Sequence, residues 1–203
     1  MRSMKQRPEA LIPEEVPVPQ VRPGWSLIRI RTFGLNHSEI FTRQGLSPSV
    51  TFPRILGIGC TGEIAETTDP ERLPHSQKAV SLMGEMGRAF DGSHAEYALV
   101  PNGQIYPVAS DLPREKLAAI PETGYTAYGS IQNLKVEDAD HVLVRGATSS
   151  VGITAARLQA LFDEIARSHA DLGPAKVFHF SELREAHTWL GSERSGGKAV
   201  VVL

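Results

Sequence analysis

Two stretches of this chain have the residue types and spacing for chemistry. The first is Gly34-Leu35-Asn36-His37-Ser38-Glu39, which puts an amide, an imidazole, a hydroxyl and a carboxylate on one short turn. Asn36, His37 and Glu39 could orient a carboxamide or a carbonyl there. The alternative is a solvated turn opening a helix capped by Asn36. The second stretch is Gly146-Ala147-Thr148-Ser149-Ser150-Val151-Gly152, preceded by His141-Val142-Leu143-Val144-Arg145 and followed by a helical pattern. A strand, a glycine turn and a helix start receive a pyrophosphate, because the unpaired N–H groups and the helix dipole meet the anion. Ser149 and Ser150 stand where the usual fingerprint has its central glycine.

Metal chemistry finds no support in the spacing. The seven histidines (37, 75, 94, 141, 169, 179 and 187) include no i, i+4 pair, and Cys60 is the only cysteine. The expectation is no zinc, with His94 and His141 structural. A single cysteine also excludes intrachain disulfides and fits a reducing, cytoplasmic location. Residues 1–20 lack the apolar run of a signal peptide, and no apolar stretch is long enough to span a membrane. A net charge of −2 implies no nucleic-acid partner, and 41% hydrophobic with 22% charged residues is an ordinary globular composition.

The elements that must carry these groups are mostly short. Trp25 to Arg31 alternates as a strand, and Gly57, Gly59 and Gly62 interrupt Ile55 to Ile64 as they do where a strand bends or another backbone comes close. Met83 to Gly87 reads as a glycine-punctuated loop, Ala95 to Val100 as a strand with Tyr97 in the core, and Pro113–Ile120 and Thr123–Leu134 as helices. Tyr125 and Tyr128 flank Thr126 near a helix start, where core packing is the default for the rings. From Ser150 to about Ala170 the apolar residues recur at helical spacing without a break. The tail holds a helix from about Ser181 with an apolar stripe of Leu183, Ala186 and Leu190, then a strand over Lys198 to Leu203.

Taken in order, Glu15-Val-Pro-Val-Pro, Arg22-Pro-Gly, Gly34-Leu-Asn36, Arg43-Gln-Gly, Pro53-Arg-Ile-Leu-Gly57, Phe90-Asp-Gly, Ala95-Glu-Tyr, Val142 to Gly152 and Gly197-Lys198 resemble the medium-chain dehydrogenase/reductase superfamily. Within it the chain is similar to the zinc-free, quinone oxidoreductase-like branch. The resemblance implies an α+β fold: a GroES-like, β-rich catalytic domain from residues 8–122 and 174–203. Residues 123–173 would be a remnant, one strand and one helix, of the Rossmann domain that the family inserts there. It implies an oxidoreductase that passes hydride from NADPH or NADH to a small quinone or conjugated carbonyl. Asn36, Glu39 and Thr126 would lie near the nicotinamide, with His37 or Tyr128 as proton donor. Gly146, Ala147, Ser149, Ser150, Val151 and Gly152 would take the pyrophosphate.

Departures from the family are equally specific. Asn36, Ile58 and Gly59 stand where zinc-dependent members carry metal ligands, and Phe41 where a tyrosine is usual. Leu158-Gln-Ala-Leu161 runs directly into Asp163-Glu-Ile-Ala, which resembles the entry to the family's C-terminal tail. A shortened insert leaves the Val142–Val144 strand without neighbours. The expected consequences are weak dinucleotide binding, a non-catalytic remnant as the alternative function, and a homodimer through the exposed strand.

Overall fold

β1 (Trp25–Leu35) is the strand on which the sheet is built. Ile28, Ile30, Phe33 and Leu35 are almost wholly buried, as the alternation predicts for its first half. Beyond Arg31 the alternation lapses, and Thr32, Phe33, Gly34 and Leu35 are all buried. That is the mark of a strand covered on both faces. The computed structural model describes residues 9, 11–135, 143, 149–151, 174–192 and 197–203. Most of the expected strand at 141–145 and of the long helix from Ser150 lies outside them.

Along one edge, β1 pairs with β2 (Gly59–Thr67) through two irregularities. β3 (Lys78–Leu82) pairs with β2, and β5 (Ile105–Pro107) with β3. The other edge of β1 is shared. β4 (Tyr97–Pro101) covers Trp25–Arg29, and β7 (Ala199–Val202) covers Thr32–Leu35. β6 (Lys176–His179) adds to β7 in parallel. One sheet therefore joins residues 25–107 to residues 176–202, and with its flanking helices it has the α+β character the resemblance implies.

Among the described residues, four helices flank the sheet: α1 (His37–Arg43), α2 (Arg114–Ala119), α3 (Pro121–Leu134) and α4 (Leu183–Leu190). α4 starts two residues later than Ser181, because Phe180–Glu182 form a tighter 3₁₀ turn first. It buries Ala186 and Leu190 as expected, and His187 between them. Leu190 joins Ile28, Phe33, Ile64, Val100 and Phe178 in the main core. Each such side chain contributes roughly 1.5–3 kcal/mol through burial.

Three aromatic expectations are corrected. Tyr125 and Tyr128 are 63% and 47% exposed, because α3 turns Thr123 and Ala127 inward instead. Tyr97 is only partly buried, since Ala98 and Val100 take the core side of β4.

Gly62 sits where the β1 and β2 backbones approach most closely. A Cβ there would lie 2.2 Å from the Arg29 carbonyl oxygen and 2.8 Å from Ile28 Cγ2. Gly103 has open space around it. Gly62→Ala is expected to lower the urea-unfolding free energy by about 2 kcal/mol or more, and Gly103→Ala to leave it within about 0.5 kcal/mol. Equal values for the two variants would contradict this packing.

Candidate functional site

Asn36 follows β1 directly and caps α1, so it is fixed by the two elements that meet there. It is 7% exposed and fully engaged. Its backbone N–H donates to Glu39 Oε2 at 2.8 Å, and its Nδ2 donates to Glu39 Oε1 and to the Gly34 carbonyl, both at 3.2 Å. The Lys198 ammonium donates to its Oδ1 and also to Glu122 Oε2, the latter at 3.1 Å. Glu122 Oε1 in turn accepts from Thr126 Oγ1 at 3.3 Å. The structure thus links Asn36, Glu39 and Thr126 through two residues that the sequence did not single out as site residues, Glu122 and Lys198.

Lys198 is 162 positions from Asn36 in the chain. It reaches Asn36 because β7, starting at Ala199, pairs with Leu35. Gly34 makes room: a Cβ at Gly34 would lie 2.7 Å from Lys198 Cε and 2.9 Å from the Ala118 carbonyl. The Gly197-Lys198 pair ahead of an apolar run was the available signal, and it does not reveal burial. Lys198, Asn36, Gly34, Gly59, Ala118 and Glu122 line an open cleft of about 200 Å³. Much of that space is open solvent, and only about 10 Å³ of it is enclosed, far below the roughly 300–1,000 Å³ of a complete small-molecule pocket. Cys60 also borders this cleft, but burial raises its thiol to about 12, so it stays protonated and unreactive.

Glu39 is not among the residues that line the cleft. It is 1% exposed, and besides Asn36 it accepts from the Ile58 N–H at 3.0 Å. Its role is to hold Asn36 and the chain entering β2. His37 and Tyr128 stand on exposed faces of α1 and α3. Ser149 to Val151 open a helical turn, while Gly146, Ala147 and Gly152 lie outside the described residues.

On its inner side Glu39 faces two buried histidines. His94 Nε2 lies 3.7 Å from Glu39 Oε2, and the His94 ring stacks on Phe33 with centroids 4.7 Å apart. His187 meets His94 edge to face at 5.3 Å. Gly57 lets the His94 ring in, since a Cβ on Gly57 would lie 2.8 Å from His94 Cδ2. Reading His94 as structural agrees with this burial, whereas the chain spacing gave no hint of a cluster built from residues 39, 94 and 187.

Comparison with known proteins gives the frame. Residues 22–110 match the alcohol dehydrogenase GroES-like domain. A zinc-type alcohol dehydrogenase-like protein of Schizosaccharomyces pombe is 28% identical over 139 residues, 68% of this chain and 42% of that protein. A quinone oxidoreductase of Lama guanicoe is 29% identical over 154 residues, 74% of this chain and 46% of that protein. These matches support the medium-chain dehydrogenase/reductase superfamily for this chain. The quinone oxidoreductase structure from Coxiella burnetii superposes with a TM-score of 0.84 at 16% identity, over 97% of this chain and 96% of that one, which shows a common fold. The chain spans about half or less of the length of these curated superfamily members. Among the described residues, no helix is long and apolar enough to cross a membrane.

The buried trio makes stability depend on pH. Burial lowers both His94 and His187 to about 3, with the neighbouring His94 a second cause for His187. Both therefore stay neutral in the folded protein at pH 4 to 7, whereas in the unfolded chain they take up protons below about 6.5. Their contribution is present above 6.5 and is lost as pH falls toward 3. Burial raises Glu39, against the pull of His187 and the Asn36 and Ile58 hydrogen bonds. Its contribution is the reverse: present below about 4.5 and lost as pH rises through the folded value. In chelator-treated buffer, urea unfolding between pH 7.5 and 5 is expected to show stability falling on acidification, by up to ~1.4 kcal/mol per pH unit for each histidine and less where Glu39 offsets it. His94→Phe should flatten that slope. A slope of zero in the parent protein would refute it.

Proposed function

We propose that this chain carries the catalytic wall of a zinc-free, NAD(P)H-dependent oxidoreductase acting on quinones or conjugated carbonyls. The observation that carries this reading is the Lys198–Asn36 pair at the cleft. In zinc-dependent members the corresponding face holds a cation among its ligands. Here Ile58 and Gly59 offer no side-chain lone pair, and the Asn36 oxygen already accepts from an ammonium. A fixed cation in that position repels a metal ion and supplies the same electrostatic service. Lys198 uses two of its three N–H donors on Asn36 and Glu122, which leaves a third for a substrate oxygen. Negative charge growing on that oxygen during reduction is stabilised by a donor already in place. His37 or Tyr128, on the exposed side, would return the proton. Glu39 keeps the Asn36 amide in register but touches nothing that reacts.

On this reading Asn36, Lys198 and Thr126 would take the nicotinamide end of the cofactor, and Gly146, Ala147, Ser149, Ser150, Val151 and Gly152 its pyrophosphate end. When bound, the cofactor supplies hydride. The small size of the cleft accords with a site that needs a second wall, which this reading assigns to residues 123–173 packed against a catalytic unit of residues 8–122 and 174–203. Because that insert is short, we infer binding weaker than ~10 μM, about −7 kcal/mol. A homodimer through the 142–144 strand and a cytoplasmic location belong to the same proposal.

The match to only 39–50% of the length of the first four curated relatives favours one rival reading, a non-catalytic remnant. Absorbance at 340 nm during incubation with NADPH and a benzoquinone separates the two. The enzyme reading expects turnover that Lys198→Met and Asn36→Ala each reduce about tenfold or more with the fold intact by circular dichroism. No turnover at millimolar NADPH establishes the remnant reading.

A further inference from the structure

We propose that Glu39, His94 and His187 form a binding site for one divalent transition-metal ion, of the Zn²⁺ or Co²⁺ class. None of the three lines the cleft, and the site is separate from the proposed reaction.

The three residues come from α1, the segment before β4, and α4, and each offers one ligand atom within 4.8 Å of the others. All three are buried: Glu39 is 1% exposed, His94 9% and His187 0%. The decisive observation is the four ring nitrogens. Nδ1 and Nε2 of both histidines are buried without a hydrogen-bond partner. Leaving a buried polar atom unpaired is costly, so two imidazoles with no partner on either side need an explanation. An ion among them accounts for one nitrogen of each ring, because it takes one lone pair from each and a carboxylate oxygen from Glu39. Two imidazoles and a carboxylate suit a borderline divalent cation, which takes its remaining ligand from water.

The geometry needs only modest closure. Ligand atoms around a four-coordinate ion at about 2.1 Å stand about 3.4 Å apart, so atoms up to 4.8 Å apart must close by up to about 1.4 Å. Both histidines remain neutral at physiological pH, which keeps their lone pairs available. The Glu39 charge and the Arg43 charge, one helical turn apart on α1, compete at the site. Arg43 is buried with Nε and Nη1 unpartnered, and it acts electrostatically on His187. Arg43 therefore weakens the site without supplying a ligand. An ion held here would tie α4 of the tail to α1 and to the segment before β4, three parts of the chain that are far apart in sequence.

The test uses the full chain, free of any affinity tag and stripped with chelator. Equilibrium dialysis against Co²⁺ or Zn²⁺ is expected to load about one ion per chain, with the unfolding midpoint raised by a few degrees. His94→Phe and His187→Phe should each abolish that uptake, and Arg43→Met should tighten it. Should a variant fail to fold, the parent protein still decides. The two histidines that do not titrate above about pH 4 are identified in ring ¹⁵N spectra, and Zn²⁺ must shift one nitrogen in each together. Uptake unchanged in both histidine variants, or buried-ring resonances unmoved at about 100 μM Zn²⁺, overturns the proposal.

Discussion

The pairing of β7 with the second half of β1 is the constraint on which the site depends. Leu35 and Ala199 are partners in that ladder, so the residues just outside it, Asn36 and Lys198, have no choice but to meet. Backbone hydrogen bonds fix the register, and a slip of one residue would send the Lys198 side chain to the opposite face. Ala199 and Val201 pack in the main core and Val200 against Ala118 and Ala119, so a slip would exchange two different sets of packed contacts. Gly34 adds the steric condition: its missing side chain is the channel through which the lysine stem runs. The positive charge is thus positioned by a sheet, and α2 and α3 only complete the walls.

A buried carboxylate is costly, and this fold organises much of its polar interior around one. Glu39 accepts from two backbone N–H groups and one amide, which ties the end of β1, the start of α1 and the entry to β2 into one unit. Hydrophobic residues could fill that space at less electrostatic cost. They could not fix the direction of the Asn36 amide, since apolar packing has no directional preference. Orientation at Asn36 is therefore obtained at the expense of stability beneath it, a trade that marks functional sites.

Sequence reasoning reached the parts of this architecture that depend on local chemistry. The alternation of Ile28 and Ile30 placed the core face of β1, and the glycine-interrupted Ile55–Ile64 stretch located the close backbone approach at Gly62. β3, β5 and β6 escaped notice: β5 has three residues and β6 four, too short for a period-2 pattern to stand out. Asn36 was legible as a candidate because it shares one short turn with an imidazole, a hydroxyl and a carboxylate. Lys198 and Glu122 were not, since an ordinary lysine and an ordinary first-turn glutamate gain meaning only from neighbours far along the chain. The same holds for His94 and His187. Searching for ligands at i, i+4 detects sites made by one helix, whereas this cluster is assembled by three elements.

Asn36 and Glu39 stand between an ammonium and two neutral imidazoles, and that arrangement has a chemical consequence. On the outer side stands the Lys198 ammonium, and on the inner side stand two imidazoles with their lone pairs unspent. Both Asn36 donors that reach Glu39 bind more strongly to a carboxylate than to a neutral acid, because charge-assisted hydrogen bonds are the stronger ones. Whatever keeps Glu39 ionised in the core therefore also keeps the Asn36 oxygen turned toward Lys198. A cation among Glu39, His94 and His187 would do this by stabilising the charge directly. Protonation of Glu39 would loosen the same amide without any change at the surface. The interior electrostatics and the outer cleft are consequently coupled through one side chain, and the stiffness of that amide sets how well the ammonium is aimed.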